Sequence, residues 1–229
     1  MKAFVLAGGL GTRLKPRFGD LPKPLAPLQG QPFLVRQLSW LRDHGIDRAV
    51  ILAGYGADQL REILGDGSTL GMGLEWSVES EPLGTGGALK LAQALVEGPS
   101  LVVNGDTLGE CSPWQLERDR WERGAIGAVA LYQVEDAQSR GRVEQADGRI
   151  VRFIEKDPDW RGPAWVNGGQ YMFSPRVWRA IPEGVSSLER DVLPGLAARG
   201  LLWGASCPGR FWDIGTPEDW QRAQEEIDA

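Results

Sequence analysis

The sequence predicts an α/β protein: a Rossmann-like three-layer α/β/α domain with a mixed, mostly parallel sheet and a small β-rich portion in its second half. Three observations predict it. Short apolar runs alternate with helix-periodic stretches through the first hundred residues. Glycine-rich turns follow several of those runs directly. From about Leu108 the alternation gives way to closely spaced strand-like runs.

Taken in order, the apolar run 3–7 reads as a buried strand, and the periodic stretch 32–44 as a helix stopped by Gly45. Strand 48–53, helix 57–64, strand 74–79, helix 86–96 and strand 100–104 complete a βαβα half, in which ligands bind beyond the carboxyl ends of the strands. A helix near 113–122 and strands near 126–132, 141–146, 149–154 and 165–173 follow. Asp147-Gly148 is a hairpin signal between two of these runs. A helix at about 187–198 and strands near 201–205 and 210–214 lead to a last helix, with Thr216 as its N-cap and Pro217 in its first turn. No repeat or linker divides the chain. It reads as a single domain, with 1–107 mainly a nucleotide half, 108–215 a sugar-facing half, and 216–229 a closing helix.

Composition narrows the class. A chain of 229 residues with 42% apolar content buries a core comfortably, and no apolar run is long enough for a membrane span or a signal peptide, so a cytoplasmic location is expected. A net charge of −6 argues against a nucleic-acid surface, so positive charge must be concentrated where anions bind. Cys111 and Cys207 lack metal-ligand spacing and are read as reduced and structural. His44, the one histidine, falls at the end of a helix and is read as a C-terminal charge or surface residue. Ten tryptophans are scattered rather than spaced as stacking platforms. They are read mostly as core or interface filler, with a homodimer as a candidate assembly.

The most informative stretch is Leu6-Ala-Gly-Gly-Leu-Gly-Thr-Arg-Leu-Lys-Pro16, followed by Leu21-Pro-Lys-Pro-Leu25. Glycines let backbone N–H groups approach an anion, and Arg13 and Lys23 supply the charge a triphosphate needs. A Rossmann dinucleotide fingerprint fails here, because Leu14 stands where a third glycine belongs and Pro16, Pro22 and Pro24 forbid the helix it opens. A P-loop fails too, since no Gly-Lys-Ser/Thr follows. A nicotinamide-dependent oxidoreductase is thereby excluded. The loop should cover a nucleotide rather than cap one helix.

These residues resemble the sugar-phosphate nucleotidyltransferases, which join a sugar 1-phosphate to a nucleoside triphosphate and release pyrophosphate. The likeness extends through EPLGTGGALK at 81–90, VVNGDT at 102–107, VNGGQY at 166–171 and FWDIGTPEDW at 211–220. Within that family the pattern looks most like the bacterial D-glycero-D-manno-heptose 1-phosphate guanylyltransferases. The resemblance implies a glycosyltransferase-A-like nucleotidyltransferase fold, Mg²⁺ as cofactor, and an NTP and a sugar 1-phosphate as small-molecule partners. Such chemistry needs no protein nucleophile. It is positioning plus cancellation of charge.

By the same resemblance, Arg13 and Lys23 are the catalytic cations, Arg13 on the departing pyrophosphate and Lys23 between the α-phosphate and the sugar phosphate. Leu6, Ala7, Gly8, Gly9, Gly11, Thr12, Glu81, Gly86, Gly87 and Asp106 are expected around the nucleotide. Asn104, Gly141, Glu155, Lys156, Asn167 and Gly168 are expected around the sugar, and Asp106 and Asp213 on the metal. Arg140 and Arg142 depart from the family pattern and are read as solvated charges in preference to an extra phosphate contact. The alternatives are another activated sugar, such as a UDP-muramate derivative, GDP-mannose or a dTDP-hexose, or a non-catalytic sugar-nucleotide sensor. The full set Arg13, Lys23, Asp106 and Asp213 favours the enzyme.

Overall fold

The computed structural model describes residues 1–9, 11–137, 140–154 and 159–227. Its elements are β1 (Lys2–Leu6), α1 (Lys15–Phe18), β2 (Pro27–Leu28), β3 (Gln31–Pro32), α2 (Phe33–Asp43), β4 (Arg48–Ala53), α3 (Ala57–Leu64), β5 (Gly73–Val78), α4 (Gly84–Leu91), β6 (Ser100–Asn104) and β7 (Thr107–Gly109). Then come α5 (Pro113–Glu122), β8 (Gly127–Val134), β9 (Arg142–Ala146), β10 (Arg149–Ile154), β11 (Ala164–Phe173), α6 (Pro175–Ala180), α7 (Leu193–Ala198), β12 (Leu202–Ser206), β13 (Phe211–Asp213) and α8 (Pro217–Glu226).

The main sheet runs β5-β4-β1-β6-β11-β8-β12-β10-β9. Its first half is parallel, as the βαβα alternation requires, with β1 between β4 and β6. Antiparallel β11 closes that half against β6 and hands the sheet to β8, and β9 and β10 form a hairpin. At its tip Asp147 and Gly148 take φ of 48° and 78°, the left-handed pair that an Asp-Gly turn supplies.

Alternate residues of each strand feed opposite faces. Ala3 and Val5 pack with Leu34 and Leu38 of α2 and Leu60 of α3, while Phe4 packs with Leu89 of α4, Trp178 of α6 and Leu193 of α7. The result is three layers. A third, smaller cluster gathers Leu14, Leu28, Phe33, Trp212 and Trp220, and fixes α8 and β13 beside the first loop. Thr216 caps α8 by accepting the Asp219 N–H at 3.1 Å, as read from the sequence.

Several features differ from expectation. The proline-rich loop is partly helical: Lys15–Phe18 makes one turn, with Pro16 in the first turn where its missing N–H costs nothing. The helix expected over 86–96 begins at Gly84 and ends at Leu91, and the stretch 187–198 divides into a π-turn, Leu188–Val192, and α7. Short β2, β3, β7 and α6 carry too few residues to show a period. No helix among the described residues is long and apolar enough to cross a membrane.

The cysteines correct a reading. Cys111 and Cys207 are bonded to each other, with Cα atoms 5.3 Å apart and 96 residues of separation. Pairing over that distance depends on the topology, which sets the strand after β6 beside the strand after β12, and spacing in the sequence carries no trace of it. Closing so long a loop restricts the unfolded chain by about 4–5 kcal/mol in the chain-entropy account. Breaking the bond with Cys207→Ser is expected to lower the melting temperature by several degrees while far-ultraviolet circular dichroism is kept; a melt equal to that of the parent would contradict a bonded pair.

Candidate active site

Leu6 and Asn104 are register partners at the ends of β1 and β6, so the loops leaving these strands meet over one crevice. Gly105 donates its N–H to the Leu6 carbonyl at 2.9 Å, and a Cβ there would lie 2.8 Å from the same oxygen. Only glycine lets the strand ends approach this closely. The next residue is Asp106. Gln37, 2% exposed on the core face of α2, holds this turn by donating to the Asn104 carbonyl at 2.9 Å and the Thr107 carbonyl at 2.5 Å.

The second carboxylate arrives from the other end of the chain. β13 pairs with β7 so that Asp213 faces Thr107, one residue from Asp106, and the Ile214 N–H donates to the Asp106 carbonyl at 3.0 Å. The Gly215 N–H donates to Asp213 Oδ1 at 2.6 Å. A Cβ on Gly215 would stand 2.8 Å from that oxygen and 3.4 Å from Lys23 Nζ.

Lys23 occupies the gap between them. It sits in a single 3₁₀ turn, Lys23–Leu25, between Pro22 and Pro24, and its side chain is 11% exposed. Its Nζ lies 2.6 Å from Asp106 Oδ2 and 4.0 Å from Asp213 Oδ1. Gly11, at φ +58°, passes so close that a Cβ would fall 2.9 Å from Lys23 Cβ. Burial raises the Asp213 carboxyl above the ordinary aspartate range, the charge of Asp106 adds to the rise, and Lys23 and Arg140 oppose it. Two carboxylates sharing one lysine have room for more positive charge.

Two cavities open on Asp106, and Asp213 lines the larger of them, whereas Lys23 lines neither. One, of about 570 Å³, is lined by Arg140, Gly141, Arg142, Asn167, Glu189 and Phe211, among others. The other, of about 280 Å³, is lined by Leu6, Gly8, Gly9, Glu79, Gly84 and Thr85. Asn104 and Asp106 belong to both walls. Asn104 Oδ1 is buried there with no hydrogen-bond partner among the described residues. Residues from both halves of the sequence line the larger cavity, whereas the smaller one is lined by residues between Leu6 and Asp106, and Asp106 stands in the wall of each.

Not every expected residue faces them. Gly86 and Gly87 are buried against the 184–186 segment, where their N–H groups donate to the Ser186 carbonyl at 2.8 and 3.3 Å. They serve the tight strand-to-helix connection. Gly168 packs on the Tyr132 ring and Ala130, and Glu81 is exposed outside the smaller cavity. Arg13 and Thr12 are exposed and Ala7 is buried, none of them lining either cavity. Glu155 and Lys156 lie outside the described residues. Arg140 and Arg142, read as solvated, are instead held: Arg140 lies over the Phe211 ring at 4.8 Å and pairs with Asp219 at 3.5 Å, and Arg142 lies 3.7 Å from the centroid of Trp160. His44 behaves as expected, with Nδ1 2.8 Å from the Trp40 carbonyl at the end of α2.

Three residues were missed. Gln37 is a polar residue on the apolar stripe of a helix, and that mismatch was its readable signal. Glu79, at the end of β5, lines the smaller cavity and accepts the Leu83 N–H at 3.0 Å. Burial pushes its carboxyl above the usual glutamate range. Glu189 lies in the larger cavity wall, and nothing in its local sequence distinguishes it.

Residues 2–229 match the nucleotidyl transferase family. The chain belongs to that family. It is 34% identical over 225 residues to the mannose-1-phosphate guanylyltransferase catalytic subunit beta of Xenopus tropicalis, covering 96% of this chain and 62% of the relative. It is 36% identical over 230 residues to the mannose-1-phosphate guanylyltransferase of Mycobacterium tuberculosis, covering 98% and 64%. The chain therefore spans less than two thirds of the length of these curated relatives. HddC from Yersinia pseudotuberculosis, solved in complex with GMP-PN, superposes with a TM-score of 0.85 at 32% identity, covering 99% of both chains. The fold is shared with a putative glucose-1-phosphate thymidylyltransferase from Bacillus anthracis at a TM-score of 0.87 and 24% identity.

Members of this NTP-dependent family generally use a divalent metal. The donor set fits one. No group of three or more His, Cys, Asp or Glu side chains arranged for a metal occurs among the described residues, but Asp106, in the turn before β7, and Asp213, at the end of β13, both come within 4.0 Å of the Lys23 ammonium. Such a pair suits a cation that takes its remaining ligands from phosphate and water.

Replacing Gln37 by Leu leaves two buried carbonyls unpaired, which costs about 1–3 kcal/mol each where water cannot enter. Gln37→Leu is expected to melt several degrees lower and to lose metal-dependent turnover at temperatures where it remains folded. Unchanged turnover would show that the Asp106 turn holds without it.

Proposed function

We propose that this protein transfers a nucleoside monophosphate from an NTP to a sugar 1-phosphate, releasing pyrophosphate, with GTP and D-glycero-α-D-manno-heptose 1-phosphate as its substrates. The reading is carried by the pair of adjoining cavities that share Asn104 and Asp106, with Asp213 in the wall of the larger one and the Lys23 ammonium 2.6 Å from Asp106.

The smaller cavity takes the nucleotide. Guanine presents two neighbouring donors, N1–H and the 2-amino group, and the Glu79 carboxylate at the cavity wall offers two acceptors to match them. Uracil and thymine would turn carbonyl oxygens toward the same carboxylate. The relatives named guanylyltransferases and the HddC complex with GMP-PN support the same base. Leu6, Gly8 and Gly9 line the approach to the phosphates, and Arg13 reaches the β- and γ-phosphates from the exposed side of the loop.

The larger cavity takes the sugar phosphate, with Gly141 and Asn167 at its wall and Glu155 and Lys156 completing the set that the sequence resemblance implies. A sugar-phosphate oxygen attacks the α-phosphorus; that P–O bond forms as the bond to the β-phosphate breaks, and pyrophosphate leaves. Lys23, 2.6 Å from the Asp106 that both cavities share, neutralises the repulsion between two approaching anions. Mg²⁺, held by Asp106 and Asp213, would supply charge neutralisation on the phosphate oxygens. Asn104, shared by both walls, orients the sugar side against the nucleotide.

The reaction draws on a nucleoside triphosphate, which supports a cytoplasmic setting. The Cys111–Cys207 bond is shielded there by burial, its residues 1% and 7% exposed. The reading includes neither membrane nor nucleic acid as a partner.

The test is pyrophosphate release across GTP, UTP, dTTP and ATP with the heptose 1-phosphate, α-D-mannose 1-phosphate, N-acetylmuramate 1-phosphate and α-D-glucose 1-phosphate, in the presence of Mg²⁺. GTP with the heptose 1-phosphate is expected to dominate; a different productive pair would move the substrate, and silence throughout would favour a sugar-nucleotide sensor. Lys23→Ala and Asp106→Asn are expected to lose more than about 100-fold in kcat. Glu79→Gln is expected to lower kcat/KM for GTP about 10- to 100-fold relative to UTP. Because protonation removes an acceptor, GTP affinity should fall as pH drops through the raised Glu79 range, and Glu79→Gln should abolish that dependence.

A further inference from the structure

A line of hydrogen bonds runs behind Asp106 from one cavity to the other. Thr85, in the first turn of α4, lines the smaller cavity. Its hydroxyl accepts the Leu188 N–H at 2.8 Å and donates to Glu189 Oε2 at 2.8 Å. The other oxygen of Glu189 accepts from the Tyr171 hydroxyl at 3.4 Å. That hydroxyl accepts from Asn167 Nδ2 at 2.8 Å, and Asn167, on the wall of the larger cavity, has its Oδ1 fixed by the Gly169 N–H at 3.0 Å.

The middle of this line is buried and has little freedom. Tyr171 is 0% exposed, so its phenol proton needs an acceptor, and Glu189 provides it. Burial, together with the charges of Glu189 and Asp106, raises the Tyr171 phenol well above its ordinary range, so it remains a donor at neutral pH. Glu189 itself stands in the π-turn Leu188–Val192, whose wider winding re-aims side chains relative to an α-helix. Ser187 adds a second hydroxyl on Oε2 at 3.1 Å, the third on the carboxylate. One carboxylate is therefore the common acceptor for both cavity walls.

We propose that Glu189 is a positioning residue that couples the two substrate cavities, Thr85 on the nucleotide side and Tyr171 with Asn167 on the sugar side being ordered through its single carboxylate. The inference rests on the assignment of the cavities to nucleotide and sugar phosphate. A nucleotide that settles against Thr85 fixes the rotamer of Glu189. That in turn fixes Tyr171 and the Asn167 amide before the sugar arrives. Coupling of this kind is reciprocal, so the sugar phosphate must tighten the nucleotide by the same factor.

The experiment measures the affinity of a non-hydrolysable GTP analogue by titration calorimetry with Mg²⁺, alone and with saturating heptose 1-phosphate or α-D-mannose 1-phosphate. It compares the parent protein with Glu189→Gln, Thr85→Val, Tyr171→Phe and the Thr85→Val/Tyr171→Phe double variant. In the parent protein each ligand is expected to tighten the other by about 5- to 150-fold. Glu189→Gln is expected to bring that factor close to one while the affinity for the analogue alone changes by less than about threefold, and to raise KM for the sugar phosphate more than it lowers kcat. The double variant is expected to lose no more coupling than the worse single one, since both arms end on the same carboxylate. Folding is checked by thermal melts, and Tyr171→Phe, which removes one oxygen and keeps the ring, carries the test if Glu189→Gln does not fold. A folded Glu189→Gln or Tyr171→Phe that keeps the parent coupling factor overturns the proposal. Binding of both ligands to the parent without mutual tightening also sinks the coupling but leaves the functional reading intact, whereas a parent that binds neither ends both.

Discussion

The ammonium of Lys23, 2.6 Å from Asp106 and 4.0 Å from Asp213, joins three charged groups from three distant parts of the chain. Much of the surrounding structure is arranged so that they can meet. β1 and β6 must lie side by side and parallel for the Asp106 turn to reach the first loop. β13 must return to β7 to bring Asp213 alongside. Gly11, Gly105 and Gly215 must lack side chains because the backbone passes too close to Lys23, to the Leu6 carbonyl and to Asp213 for a Cβ to fit. Without a cation between them the two carboxylates, 34% and 38% exposed, would repel each other. Lys23 meets part of that need, and Asp213 is still raised above the ordinary aspartate range, first by burial and then by the charge of Asp106.

The same ribbon links the site to the stability of the second half. β7 and β13 are flanked by Cys111 and Cys207, by the Glu110 carboxylate accepting the Arg210 N–H at 2.8 Å, and by the third apolar cluster beneath Trp212 and Trp220. Arg140 lies over Phe211 from the cavity side and pairs with Asp219 at the start of α8. A short two-stranded ribbon is marginal by itself. Here it is fastened at both ends and on both faces, which is why a three-residue strand can hold a carboxylate in place.

Most of the fold was legible from the sequence because its long elements have strong periods. The stretch 57–64 is helical as read, and 48–53 and 149–154 are strands with the expected limits. The Asp147-Gly148 turn and the Thr216 cap were legible because each rests on the chemistry of one or two residues. In the site, the loop glycines, Lys23, Asp106 and Asp213 were legible as motifs. What escaped depended on tertiary placement. A three-residue β7 has no period, and the cysteine bond spans 96 residues. Gly86, Gly87 and Gly168 looked like ligand-facing glycines, but they relieve crowding between packed segments. Arg140 and Arg142 looked like surface charges because the rings that hold them, Phe211 and Trp160, come from remote strands and loops. Glu79 and Glu189 are ordinary acids in sequence, and only the cavity walls reveal them.

On the proposed reading Asp106 and Asp213 hold one cation where the two cavities meet, with Lys23 beside it. The most direct measurement is a crystal structure of the protein with a non-hydrolysable GTP analogue and Mn²⁺, using the anomalous signal of the metal to locate it. A peak is expected within coordination distance of both carboxylates and of the nucleotide phosphates, with Lys23 drawn from Asp106 toward the α-phosphate. A peak bound elsewhere, or a nucleotide seated outside the cavity walled by Glu79 and Thr85, would contradict it.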